Sequence, residues 1–347
     1  AAINQNNNLS YSYGGTFSPG AAVTSLVDEN ITWETTSTFD IGFDLGFVNN
    51  KINMEADYFR KKTSDILVQL PIPALMGGVD SPWENVGEMV NTGFEFVLNY
   101  TNLKQMRNQF GYNIGLNLTY IDNEVTKFQG GKSPDQLYLI REGYSYNALY
   151  GYKAIGVYQT DEEAKEHMFD NSPTPKAGNL KYEDVNNDGK LGYEDKQGLG
   201  NTIPKFSYGL SGAFHYKGFD LSYLFQGVAG VNLYVQNNFT NLNWENRMTS
   251  TRWRDAWSPD NRDTNIPSMK FNNTWDNYQS SFWVRNGSFL KLKNLQLTYT
   301  LPEQLLTRIG LQKVSVYANA QNVFTIADKD YEGYDPERNT FGSGNMV

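Results

Sequence analysis

The residue pattern from Phe206 to Gly227 restricts the fold more than any other part of the chain. Aromatic and aliphatic residues recur at every second position on both sides of a short turn at Lys217 and Gly218. A period of two is typical of a β-strand with one apolar and one polar face, and a short turn containing glycine joins two such strands into a hairpin. The sequence therefore predicts a hairpin whose apolar face must meet an apolar environment.

The same alternation predicts three more hairpins, at about 39–58, 94–120 and 290–322. The connections inside the hairpins are short, whereas those between them are long: 61–91, 121–204 and 228–287. Long structureless loops are unusual in a compact soluble domain. Outer-membrane barrels, in contrast, have short turns at one rim and long loops at the other. The pattern favours an all-β, antiparallel transmembrane β-barrel, with a soluble β-sandwich or propeller as the alternative.

The composition of the chain limits the kinds of partner and of membrane-spanning segment that it can have. The 29 basic and 38 acidic residues give a net charge of −9. This charge argues against nucleic acid as a partner, because phosphate binding requires a basic stripe. It contains no cysteine, which excludes disulfides and thiolate chemistry. No apolar run approaches the roughly 20 residues of a membrane-spanning helix, whereas a spanning β-strand needs only about 9–11 alternating residues. The sequence opens at Ala1 without a signal-peptide pattern, as expected of a mature product or part of a longer protein.

Six stretches resemble, in the same order, segments of the SusC/RagA-type TonB-dependent outer-membrane transporters. The longest are ITWETTSTFDIGFDLGFVNNKINMEADYFRKKTSDIL (Ile31–Leu67) and LKYEDVNNDGKLGYEDKQGLGNTIPKFSYGL (Leu180–Leu210). The others are VNTGFEF (Val90–Phe96), IREGYSYNALYGYKAIGVYQT (Ile140–Thr160), SFLKLKNLQLTYTLP (Ser288–Pro302) and VYANAQNVFT (Val316–Thr325). They are distributed over most of the chain, from Ile31 to Thr325.

This resemblance implies that residues 1–347 are the C-terminal portion of a 22-stranded barrel. The insertions 121–204 and 228–287 are then long extracellular loops, and the plug and TonB box of the family lie outside this sequence. The implied function is TonB-dependent import of oligosaccharides or peptides across the outer membrane. The implied partners are a SusD-like surface lipoprotein, TonB through the missing N-terminal region, the transported glycan or peptide, and outer-membrane lipid. A secreted, soluble carbohydrate-binding β-domain is the alternative.

Oxygen-bearing residues in the insertion 121–204 have the spacing of an EF-hand loop. Counting from Asp184, they occupy positions 1, 3, 5, 7 and 12, and glycine stands at position 6. The sequence therefore predicts one structural Ca²⁺ that pins an external loop, although an aspartate replaces the usual glutamate at position 12. The alternative is an Asx-rich turn without metal. The predicted ligands are the side chains of Asp184, Asn186, Asp188 and Asp195 and the carbonyl of Lys190.

Tryptophans are concentrated in the insertion 228–287. Flat indole rings suit contact with sugars or with a lid protein, and this role is predicted for Trp244, Trp253, Trp257 and Trp275. The alternative is that these rings pack the loops together or gather at the membrane interface.

Paired acids raise the alternative of a calcium-dependent glycosidase, which needs two facing carboxyl groups. The pairs Asp40/Asp44 and Glu55/Asp57 stand on alternating strands, however, where acids more simply line a watery lumen. The sequence predicts no enzyme.

Overall fold

The computed structural model of the chain describes residues 2–26, 28–70, 75, 80, 82–103, 108–129, 137–165, 174–236, 251–270, 274–307, 310–331 and 335–337. Most of this part is antiparallel β-sheet, as the sequence predicts. The strands in chain order are β1 (Ala2–Tyr13), β2 (Thr16–Ser25), β3 (Thr35–Phe47), β4 (Ile52–Gln69), β5 (Trp83–Asn102), β6 (Gly111–Phe128), β7 (Tyr138–Leu139), β8 (Ala148–Tyr152), β9 (Ala154–Val157), β10 (Leu180–Tyr182), β11 (Lys196–Gly200), β12 (Phe206–Tyr216), β13 (Phe219–Ala229), β14 (Asn232–Tyr234), β15 (Val284–Asn286), β16 (Phe289–Thr300) and β17 (Ser315–Ala327).

Eight of these strands form one large antiparallel sheet, here called the wall sheet. Its order is β3-β4-β5-β6-β12-β13-β16-β17, so each strand pairs with the next wall strand along the chain. The β3–β4 and β12–β13 hairpins are closed by short turns, as predicted. At the β12–β13 turn, Lys217 and Gly218 have φ of 51° and 85°. Positive φ at both central residues matches the twist of the flanking strands. The four predicted hairpins are confirmed.

The strands β4, β5 and β6 are longer than the alternating pattern predicts. The β4–β5 ladder continues to the pair Gln69 and Trp83, so most of the predicted connection 61–91 is strand. Likewise β6 ends at Phe128 and not near Ile121. The alternation of apolar and polar residues ends before the strands do, because it depends on the solvent that each face of the sheet contacts. The backbone hydrogen bonds between strands do not depend on that alternation and continue further.

Smaller elements occupy the connections between wall hairpins. They form the sheets β7-β8-β11, β9-β10 and β14-β15, and a separate hairpin joins β1 to β2. Two short helices are α1 (Asp161–Lys165) and α2 (Glu303–Leu306). Among the described residues, no helix has the length and apolar content needed to cross a membrane.

The largest cluster of buried side chains lies between the two long insertions. It joins residues of the first insertion, such as Tyr158 and Tyr182, to Trp253, Trp275 and Trp283 of the second. Tyr158 is fully buried, and Tyr182 and Trp283 are almost so. The insertions therefore pack on each other and share one core.

Candidate functional site

The outward face of the wall sheet is a continuous apolar surface. Cross-strand register aligns one apolar residue from each strand in a single row: Leu45, Met54, Leu98, Leu116, Leu210, Phe225, Leu292 and Phe324. On β3 every apolar residue of this face is at least 41% exposed. Among the described residues, no second sheet covers this face. The alternative of a soluble β-sandwich, which needs such a second sheet, is therefore wrong. A surface of this extent needs an apolar solvent, as lipid provides.

Aromatic residues border this apolar surface. Tyr58, Phe94, Tyr120 and Phe206 are consecutive cross-strand partners, and the rings of Tyr120 and Phe206 lie 5.0 Å apart. A second aromatic group around Phe214 lies about 27 Å away along β12, at ~3.4 Å per residue. This separation resembles the apolar band of outer-membrane barrels, about 25 Å tall between two aromatic girdles.

The row beyond the first aromatic border is polar. Arg60, Thr92 and Asp122 are paired across β4, β5 and β6. Lys205 Nζ lies 3.3 Å from Asp122 Oδ1. Charged groups at this level belong in water, so the membrane-facing surface ends between Tyr120 and Asp122. The extra strand length of β4–β6 lies beyond it.

The opposite face of the wall sheet carries polar residues, as predicted for a lumen. One row consists of Asp44, Glu55, Val97, Asn117, Gly209, Gln226, Lys291 and Thr325. Asp40 and Asp57 stand on the same face as Asp44 and Glu55. The acids that could suggest a glycosidase are therefore part of the polar wall.

Sequence reasoning missed an ion cluster on this inner face. Lys291, with 1% of its side chain exposed, pairs with Asp335 and with Glu337, the latter at 2.7 Å. Lys293 Nζ lies 2.7 Å from the same Glu337 carboxylate. Burial raises the pKa of Glu337, but hydrogen bonds from the two lysines outweigh this and hold the pKa below its ordinary value. No local spacing signals the cluster, because its acids follow β17 and its lysines stand on β16.

The predicted calcium loop is ordered by its own carboxylates. Asp184 Oδ2 accepts a hydrogen bond from Gly189 N at 2.9 Å. Asn186 Oδ1 accepts from Asp188 N at 3.0 Å, and Asp188 Oδ1 accepts from Lys190 N at 2.8 Å. Asp195, at position 12, turns back to accept from Val185 N at 2.8 Å. Four of the five predicted ligand residues thus fix the loop through side-chain oxygens.

Two features of this loop go beyond an ordinary Asx turn. Asp195 is completely buried. The Oδ1 atom of Asp184 is also buried, and it accepts no hydrogen bond from the described residues. A buried carboxylate oxygen without a donor is costly unless a cation or another donor satisfies it. Nevertheless, within the described ranges no three His, Asp or Glu side chains converge closely enough to hold a metal as they stand. Calcium here stays a prediction.

The predicted tryptophan surface is corrected in two places. Trp253 and Trp275 are only 6% and 2% exposed, because both pack into the core between the insertions. Trp275 Nε1 also donates to Leu180 O at 2.8 Å. These rings cannot offer their faces to a substrate or lid. Trp257 is half-buried against the same core and donates to Gln159 Oε1 at 3.0 Å, and Trp244 lies outside the described residues.

Comparisons with known proteins agree with the two-faced wall. The family model described as "TonB dependent receptor-like, beta-barrel" matches residues 2–323. The chain is 30% identical over 340 residues to TonB-dependent receptor P3 of Formosa agariphila, covering 94% of this chain and 33% of that protein. It is 28% identical over 330 residues to TonB-dependent receptor SusC of Bacteroides thetaiotaomicron, covering 89% of this chain and 30% of SusC.

Solved structures show the same relationship. The RagAB peptide transporter structure matches with a TM-score of 0.75 and 25% identity, over 97% of this chain and 36% of that chain. The chain therefore spans about a third of the length of the proteins that it matches. The wall sheet is part of an outer-membrane barrel, and the chain belongs to the TonB-dependent receptor-like β-barrel family.

Proposed function

We propose that this chain forms part of the barrel of a transporter that imports oligosaccharides or peptides across the outer membrane, with energy from TonB. The observation that carries the proposal is the wall sheet, apolar on one face and polar on the other across all eight strands. A wall of this kind separates lipid from a watery passage. The similarity to relatives named as TonB-dependent receptors and to a solved peptide transporter supports the same proposal.

The inner face supplies the passage. Its side chains include carboxylates, amides and hydroxyls, which exchange hydrogen bonds with polar solutes and water. The TonB contact is proposed to come from the N-terminal region of the full-length protein, which in this family carries the plug.

A SusD-like surface lipoprotein is the proposed lid. The two insertions share one core, so they form a firm outer surface on which a partner can dock. Exposed apolar residues are present on it, including Tyr193 at 54% and Ile155 at 49% exposure. A docked partner would bury such apolar and aromatic residues, which commonly act as anchors in protein interfaces.

Calcium is the proposed structural ion of the loop 184–195. Side-chain oxygens of Asp184, Asn186, Asp188 and Asp195, with the carbonyl of Lys190, would hold it. The support is the order of ligand types, the buried Oδ1 of Asp184, and the burial of Asp195. The ion would draw the carboxylates of Asp184, Asp188 and Asp195 together, neutralise their charge and so stiffen the loop beside β11.

The test uses the full-length protein, tagged in its native host and extracted from outer membranes in mild detergent. We expect a surface lipoprotein of the SusD type to co-purify in near-equal amount, and uptake of the substrate to stop when TonB is removed. Recovery of the protein as a detergent-independent monomer, or uptake that persists without TonB, would contradict the proposal.

A further inference from the structure

The lipid-facing side of the wall sheet ends in a polar row at the rim that carries the long insertions. Cross-strand register places Phe39, Arg60, Thr92 and Asp122 side by side in this row, on β3, β4, β5 and β6. Side chains alternate between the two faces of a strand, so Arg60 shares the outward face with Tyr58 of the aromatic border, about 7 Å along β4. Arg60 therefore stands where the hydrocarbon region gives way to polar lipid headgroups.

The guanidinium of Arg60 carries an unbalanced charge. Arg60 is exposed, and its side chain makes no hydrogen bond, ion pair or ring contact with the described part of the chain. Its neighbour on the same face, Lys62, is in contrast neutralised by Glu88, with Nζ and Oε2 2.8 Å apart. A guanidinium held at a membrane border without a carboxylate partner is available to an anion from outside the protein.

Other outward carboxylates at this level are too far away to balance that charge. Asp122 and Glu124 stand on β6, two strands from β4, which is roughly 10 Å at about 4.8 Å per strand. Asp122 is also engaged by Lys205, whose Nζ lies 3.3 Å from its Oδ1. Water and salt weaken the attraction between exposed charges at such a separation.

Arg60 is bordered on the membrane side by exposed rings. Phe39, its cross-strand partner on β3, is 59% exposed, and Tyr58 is 42% exposed. A long basic side chain can lay its methylene groups along an apolar surface while its charged end reaches the polar layer. The three side chains together match an amphiphile that has hydrocarbon chains beside the rings and an anionic group at the level of the guanidinium.

We propose that Arg60 binds the phosphate of a lipid in the outer leaflet, whose hydrocarbon chains contact Phe39 and Tyr58. The planar N–H donors of a guanidinium match two phosphate oxygens, and the two charges are complementary. The site is continuous with the lipid-facing surface, so the anion that reaches it is attached to a lipid. A neutral headgroup would leave the charge of Arg60 unbalanced. This assignment rests on the outer-membrane location of the wall and does not depend on the imported substrate.

Native mass spectrometry of the full-length protein in mild detergent tests the site. The two probes are dipalmitoyl phosphatidic acid and a dipalmitoyl glycerol with a neutral galactose headgroup, which has the same chains without the phosphate. We expect the phosphate lipid to bind about fivefold more tightly, which is the usual contribution of one basic side chain near an anionic membrane surface. Inorganic phosphate in tenfold excess should not displace it, because free phosphate gains nothing from the apolar surface.

Arg60→Gln should weaken binding of phosphatidic acid by about fivefold and leave binding of the galactolipid unchanged. Lys61→Gln is the matched control, because Lys61 is the next residue and an exposed cation on the inward face of the same strand. Equal affinity of the unmodified protein for both lipids, unchanged affinity of Arg60→Gln for phosphatidic acid, or an equal loss in Lys61→Gln would overturn the assignment. Displacement by inorganic phosphate would overturn it as well, since the site would then bind free phosphate.

Discussion

Lys291 and Glu337 form an ion pair of 2.7 Å that ties the segment after β17 to the inner face of the wall sheet. The lysine side chain is almost completely buried, and its second partner, Asp335, comes from the same short segment. A buried ammonium group is stable only with such partners. The position of residues 335–337 therefore depends on two lysines of β16.

Lys291→Met tests this dependence, because it keeps most of the side-chain volume and removes the charge. We expect a local loss of about 1–3 kcal/mol, since Glu337 retains Lys293 but Asp335 loses its partner. Limited proteolysis of the folded protein in detergent should show faster cleavage near residues 335–337. Lys313→Met, at an exposed site, is the control. Unchanged protection at residues 335–337 would contradict the proposed tie.

The same ion cluster predicts a dependence on pH. The pKa of Glu337 lies below its ordinary value of 4.5 in the folded protein. A carboxyl group with a lowered pKa contributes stability fully above its ordinary pKa, and the contribution is lost as the pH falls through the folded pKa. Protection of residues 335–337 should therefore be constant from neutral pH to about 5 and fall only in more acidic buffer. Glu337→Gln should reduce that pH dependence, and an identical profile in the variant would sink the assignment to Glu337.

The wall sheet could be predicted from sequence because two different solvents impose the alternation on it. Leu116 and Asn117 are neighbours in sequence, but Leu116 faces lipid and Asn117 faces the polar interior. Each therefore belongs to its own series of apolar or polar residues at every second position. The loop 184–195 was readable for a similar reason, since its side-chain oxygens lie within one short segment and bond to one another.

The core between the insertions could not be predicted in this way. Trp275 meets Leu180 through a hydrogen bond between residues 95 positions apart, and neither stands in a periodic segment. A tryptophan-rich composition is compatible with both a binding surface and a packed core. Only the packing of both insertions against each other decides which of these it is.

Leu116→Arg tests the lipid-facing side of the wall. Leu116 stands between Leu98 and Leu210 in the apolar row, and it is 37% exposed on the outward face. Arginine there should reduce the free energy of unfolding by about 2–4 kcal/mol if the site is near the bilayer midplane. Asn117→Arg, one residue further on and facing inward, should cost much less. Urea unfolding in lipid vesicles measures both, and equal costs would argue against a lipid-facing strand.

Removal of two carboxylates tests the calcium loop. Asp184→Ala with Asp188→Ala should abolish stoichiometric calcium, measured by elemental analysis of the purified full-length protein. The matched control is Glu194→Gln, because Glu194 is an exposed carboxylate of the same loop that is not a predicted ligand. An unchanged calcium content in the double variant, or no calcium in the unmodified protein, would mean that the loop is an Asx-rich turn without metal.

Trp275→Ala distinguishes a core residue from a binding residue. Because Trp275 is 2% exposed and fixed to Leu180 O, its truncation should leave a cavity and destabilise the joined insertions by about 3–5 kcal/mol. Trp33→Ala removes a ring that is 91% exposed and should change stability by less than about 0.5 kcal/mol. Thermal unfolding of the insertions, monitored by hydrogen exchange at Tyr158 and Tyr182, measures the difference in stability between the two variants. If Trp275→Ala weakened substrate binding while exchange at these tyrosines stayed slow, the ring would act at a binding surface, against its position in the core.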